Sequence, residues 1–223
     1  MNRNSLLAIA VVSTCVAQVA DASITTYTGV NATYQSTRDA FVADFEGFTG
    51  EIIGLENFES FSGGQEIGDM PGNDGRFAPE YADGSAAPLP IIQASIAAPS
   101  GSRWMQNFGN GRPFGASWVI RPDNPGELIY GFAQTNAQGD WVELFGYDAQ
   151  DTLVVSVLAP NTGTAFAGFI SDIGLSRIVV TPRGNGDFAN GMDDVFVSTT
   201  PVPAPGSAVL IAAGIGAASR RRR

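Results

Sequence analysis

Trp141-Val142-Glu143-Leu144-Phe145-Gly146-Tyr147 alternates along its length, Asp148 to Asp151 interrupts it, and Leu153 to Leu158 resumes an apolar run. Two strands and a turn are the natural reading, because successive side chains on a strand point to opposite faces. Alternation puts Trp141, Glu143, Phe145 and Tyr147 on one face and Val142 and Leu144 on the other. If the aliphatic face is core, an aromatic stripe with a carboxylate looks outward. Such a stripe could stack on sugar rings, with Glu143 accepting hydroxyls. If the aromatic face is core, the stripe merely packs, the commoner use of such rings. Periodicity leaves both open.

Further strands are predicted on both sides of this pair. Upstream they cover Ile24 to Thr28, Leu55 to Phe61, Ile91 to Ala97, Ser117 to Arg121 and Leu128 to Ala133. Downstream they cover Ala165 to Ile170, Arg177 to Thr181 and Asp194 to Ser198. Turn sequences such as Asp123-Asn124-Pro125-Gly126 and Gln138-Gly139-Asp140 separate them. Gly68 to Gly84, dense in Gly, Pro and Asp, reads as a long irregular loop. One helix is expected, near Thr37 to Phe48. Ser36-Thr37-Arg38-Asp39 resembles a capping box, and Phe41, Phe45 and Phe48 recur at helical spacing. Many short strands at this spacing predict a mainly β fold, an antiparallel, jelly-roll-like β-sandwich over residues 23–200.

The two ends of the chain read as addresses. Arg3, the apolar stretch Leu6 to Val12 and Ala20-Asp21-Ala22 form a signal peptide, residues 1–22, with cleavage expected after Ala22. At the other end, residues 201–223, Val202-Pro203-Ala204-Pro205-Gly206-Ser207 stops the domain. The apolar run Ala208 to Ala218 and the block Arg220, Arg221, Arg222, Arg223 follow. The run is shorter than the ~20 residues of an ordinary spanning helix, so a transient insertion into the inner membrane suits it, arginines on the cytoplasmic side.

The chemistry on offer is narrow. The chain has no histidine, and its single cysteine, Cys15, lies in the signal region. A Ser-His-Asp triad, a cysteine hydrolase and a His-ligated zinc site are therefore excluded. The formal charge is -10, which disfavours nucleic acid as a partner. Carboxylates remain. Glu80, Glu127 and Glu143 are the candidate acids for glycoside hydrolysis, although nothing in the sequence pairs them. Asn185, Asp187, Asp193 and Asp194 cluster near the last strand and are candidate oxygen ligands for calcium. Strict alternation would place Asp193 beside Val195 and Val197, an awkward position for an unpaired acid. The same residues also serve ordinary turn chemistry.

The tail resembles the PEP-CTERM sorting signal of exported bacterial proteins. Val202, Pro203 and Pro205, the apolar run and the terminal arginines match; Ala204 stands where that family usually has Glu. The resemblance covers about the last 22 residues. It implies a membrane peptidase of the exosortase kind as a partner, surface or extracellular destination, and association with exopolysaccharide. Gly146-Tyr147-Asp148, Gly168-Phe169 and Asp193-Asp194-Val195 are similar to motifs of sandwich domains found in that family, which resemble carbohydrate-binding domains. In such domains a structural calcium often joins the first and last strands, which implies Glu59, from an early strand, as the partner of the Asn185, Asp187, Asp193 and Asp194 cluster. The resulting expectation is an exported, non-catalytic surface or matrix protein associated with polysaccharide. A carboxylate glycosidase and a calcium-dependent adhesin are the alternatives.

Overall fold

Strand β1, Ile24–Val30, runs through a short 3-10 turn at Asn31–Thr33 into the helix α1, Tyr34–Thr49, in a computed structural model of the chain. The structure describes residues 23–78, 80, 85–94, 100–106, 117–136, 141–159, 163–183 and 191–204. The signal region, most of the tail, Asn185 and Asp187 lie outside them. The helix starts before the expected capping box. Ser36 does not cap it; its hydroxyl donates back to the Thr33 carbonyl at 3.0 Å. The far end closes on Gly50, in the left-handed region at φ 73, whose N–H reaches the Glu46 carbonyl. That conformation suits glycine at the end of a helix.

Among the described residues eleven further strands follow: β2 Leu55–Glu56, β3 Gly75–Phe77, β4 Ile91–Ala94, β5 Arg103–Gln106, β6 Trp118–Pro122, β7 Ile129–Asn136, β8 Trp141–Tyr147, β9 Leu153–Ala159, β10 Ala165–Leu175, β11 Arg177–Arg183 and β12 Gly191–Ser198. Among the described residues they form two antiparallel sheets. One has seven strands in the order β1-β10-β7-β12-β5-β4, with β2 added to β12. The other has five, β3-β6-β11-β8-β9. The fold is an antiparallel β-sandwich.

Alternation explains how the sheets meet. Val142 and Leu144 of β8, Trp118 and Ile120 of β6 and Ile178 and Val180 of β11 face inward from the five-stranded sheet. Phe132, Phe169, Met192, Val195 and Val197 face them from the other. A second apolar cluster lies on the opposite side of the seven-stranded sheet, under α1. Phe41 and Phe45 of the helix meet Tyr27, Ala133, Phe166 and Phe196 there. The Phe41 ring lies 5.4 Å from Tyr27, 5.8 Å from Phe166 and 5.7 Å from Phe196. Phe45 sits so close to β7 that a Cβ on Gly131 would stand 2.6 Å from its ring. Phe48, expected on the same apolar face, is instead half exposed. The order of layers is helix, seven-stranded sheet, five-stranded sheet.

Two expectations need correction. The strand predicted over Leu55 to Phe61 is paired only at Leu55–Glu56, because the chain turns at Phe58, which has φ 59. The Gly68 to Gly84 stretch is not wholly irregular: Gly75–Phe77 pairs with β6.

Candidate functional site

The outer face of the five-stranded sheet carries the aromatic stripe. Since Val142 and Leu144 are core, Glu143, Phe145 and Tyr147 face out, each half buried. The structure does not describe the Trp141 side chain, though its backbone continues β8. Cross-strand register arranges this face in rows. One row runs from Arg76 of β3 to Arg121 of β6, and from Arg177 of β11 to Tyr147 of β8 and Leu153 of β9. Arg177 precedes Ile178, the partner of Ile120, so the two halves join into one line. The next row is Val119, Val179, Phe145 and Ser156. A third holds Glu80, Ser117, Thr181, Glu143 and Leu158.

Polar partners fix these side chains. Arg177 lies over the Tyr147 ring at 4.4 Å and pairs with Asp151 at 2.5 Å. Cation–π contact thus covers one face of the ring, and the residue stays partly exposed. Glu80 accepts from Arg121 at 3.0 Å and stands 4.0 Å from Arg177. Ser156 donates to Glu143 at 3.0 Å, and Ser117 and Thr181 share a hydrogen bond at 3.1 Å. Leu153 and Leu158 of the edge strand are 49% and 40% exposed. The result is a broad, mixed surface of hydroxyls, paired charges and apolar side chains. Arg121, Arg177, Ser156 and the two leucines escape sequence reasoning, because only register brings them beside the stripe.

Glu127, the remaining candidate acid, sits away from the stripe in the turn before β7, where Asn124 donates to it at 3.1 Å.

The candidate calcium residues divide. Glu59 accepts from the Ser102 and Arg103 amides, each at 2.6 Å, and from the Ser102 hydroxyl at 3.1 Å. Some loss of hydration works to raise its carboxyl, but these donors and the Arg103 charge outweigh it and hold the group below its ordinary range. Asp193 and Asp194 sit at a bulge in β12, where the register against β7 shifts between Asp193 and Phe196. The extra residue is Asp194, at φ 45. This overturns the alternation expected for the strand. Met192, Val195 and Val197 face the core, while Asp193 pairs with Thr135 on the helix side.

Both aspartates are buried and hydrogen-bonded. Ser100 donates its N–H to Asp193 at 2.8 Å and its hydroxyl to Asp194 at 2.8 Å; Arg38 of α1 reaches Asp194 at 2.7 Å. Burial pushes the Asp193 carboxyl up to about 7, the neighbouring Asp194 adding to it, although the Ser100 donors and the Asp194 amide oppose the rise. The pair links helix, loop and sheet. Among the described residues no three acidic side chains converge as a metal site.

Val202, Pro203 and Ala204 of the sorting motif line a cleft of about 350 Å³ with Ser23, Phe48 and Asp172. Pro205 and Arg220 to Arg223 lie outside the described residues, as do the signal peptide and apolar run. No helix among the described residues is long and apolar enough to cross a membrane.

No protein-family model and no curated protein sequence matches the chain. Three solved structures are similar in part. The family 29 carbohydrate-binding module CBM29-2, as a mutant probing ligand recognition, is 14% identical over 57% of this chain and 92% of its own, with TM-score 0.33. A family 43 arabinoxylan arabinofuranohydrolase from Bacillus subtilis, in complex with cellotetraose, is 13% identical over 60% of this chain and 33% of its own, with TM-score 0.34. The enzymatically active domain of tailspike protein 4 of bacteriophage CBA120 is 12% identical over 56% and 19%, with TM-score 0.30. Likeness this slight says nothing of a ligand for this chain.

Proposed function

We propose that this is an exported, non-catalytic surface or matrix protein whose open face on the five-stranded sheet associates with polysaccharide. One observation carries the binding reading: β8 turns Val142 and Leu144 into the core and leaves Phe145 and Tyr147 on an outward face beside hydroxyl groups and carboxylates. Aromatic surface packs against the apolar face of a pyranose, and polar groups at its margin take the hydroxyls. The export reading rests on the signal sequence and on the tail from Val202 to Arg223, which an exosortase-like membrane peptidase would process after transient insertion.

The non-catalytic reading rests on how the acids are disposed. Glu80 and Glu143 share a row but are three strand spacings apart, roughly 14 Å between backbones, and Glu80 is turned to Arg121. Glycosidase pairs stand about 5–9.5 Å apart at the carboxyl groups and flank one bond.

Affinity electrophoresis of the purified domain through the native matrix polysaccharide tests the reading. Retardation is expected for the parent and should disappear in Tyr147→Ala without loss of the folded state. Steady release of reducing sugar ends would overturn the non-catalytic role. Intact mass of exported protein should begin at Ser23 and lack the terminal arginines.

A further inference from the structure

We infer that the open face takes a neutral glycan, rich in free hydroxyl groups, and turns away uronate and sulfated chains. The inference rests on the polysaccharide reading above and adds the class of chain. Three arginines in one row look at first like an anion site. Two of them are already taken: Glu80 accepts from Arg121 and stands near Arg177, and Arg177 also holds Asp151. The third, Arg76, has Asp69 across an isolated bridge and Asp123 in its field. A carboxylate from outside would therefore compete with carboxylates already in place.

The two other rows described above point the same way. Between Glu80 and Glu143 the face offers Ser117 and Thr181, with Ser156 beside Phe145. Hydroxyls and carboxylates together accept and donate to sugar hydroxyls without needing a charged ligand. Phe145, Val179 and Leu158 supply apolar contact between them. The chain as a whole carries -10, so an anionic polymer meets repulsion before it reaches the face. A like charge set against Glu143 or Asp151 adds to that cost.

The test compares galactomannan with alginate as soluble matrices in affinity electrophoresis, at low and moderate salt. The parent should be retarded by galactomannan, with at least about tenfold weaker retention by alginate. The double variant Glu143→Gln, Asp151→Asn should gain retention by alginate, most at low salt, because Arg177 keeps only its longer contact with Glu80 and the face carries two fewer negative charges. Asp151 is an exposed turn residue at φ 63, a conformation that asparagine also accepts, so folding should survive; a thermal melt checks it. Stronger retention of the parent by alginate than by galactomannan overturns the inference and leaves the polysaccharide reading standing. A folded double variant that still ignores alginate overturns the charge argument. Retention by neither matrix overturns the polysaccharide reading and this inference with it.

Discussion

The sandwich has two outer faces, and both carry aromatic rings. On the seven-stranded sheet, Tyr27, Phe166 and Phe196 lie beneath Phe41 and Phe45 of α1 and are buried. On the five-stranded sheet, no helix among the described residues covers Phe145 and Tyr147; Arg177 lies over one side of the Tyr147 ring, and both residues remain partly exposed. The chemistry of the rings is alike; the cover differs. One face has become a second core and the other is available as a working surface. The polar partners follow the same division. Arg38 reaches from the helix into a buried pair of aspartates, whereas Arg177 lies along the open sheet and covers one side of Tyr147.

Truncation on the covered face should cost most. Phe41→Ala removes a fully buried ring in contact with three others and should cost about 3–5 kcal/mol in urea unfolding. A cost below about 1 kcal/mol would mean that the aromatics do not hold the helix down.

The buried acid under that face should show itself through pH. With its carboxyl raised to about 7, Asp193 keeps a proton in the folded protein that the unfolded chain releases near its ordinary value. The folded state binds more protons in that window, so its contribution to stability is full in acid and lost as pH rises from about 4 to about 7. The melting temperature should fall across this range, by an amount equivalent to a few kcal/mol at most, about 1.4 kcal/mol for each pH unit. Asp193→Asn should flatten the profile. Glu59 works in the opposite sense, favouring the fold above its ordinary range, but it is exposed and its share is small.

The smallest effect on stability belongs to the open face. Phe145→Ala should cost less than Phe41→Ala, at most about 1.5–3 kcal/mol, because the ring is partly exposed, yet it should weaken retention by galactomannan sharply. A large loss of stability with binding unchanged would make the two faces equivalent and remove the site.

Much of the strand map was legible. The expected limits of β8 match the structure, and those of β9 differ by a residue, because alternation and turn chemistry are local. The strand β3 was hidden in a Gly- and Pro-rich stretch too short to show a period. The motif glycines also have a physical reason that only packing reveals: a Cβ on Gly168 would stand 2.3 Å from Ala133. The Asp193-Asp194 bulge was invisible because one extra residue changes the face of everything before it, while the sequence keeps its apparent alternation.

From composition alone came the exclusion of histidine and cysteine chemistry, and from local pattern the mainly β fold with a helix near Phe41 and Phe45. The tertiary structure alone decided which side of β8 is core. A two-residue period defines two faces but does not rank them; the side that meets another sheet is buried, and the side that meets none stays open. The same holds for Arg177, Glu80 and Asp151. They lie far apart in the chain; the bridge of Glu80 to Ser117, the register of β6, β11 and β8 and the turn before β9 bring Glu80 and Asp151 to Arg177, which lies over Tyr147.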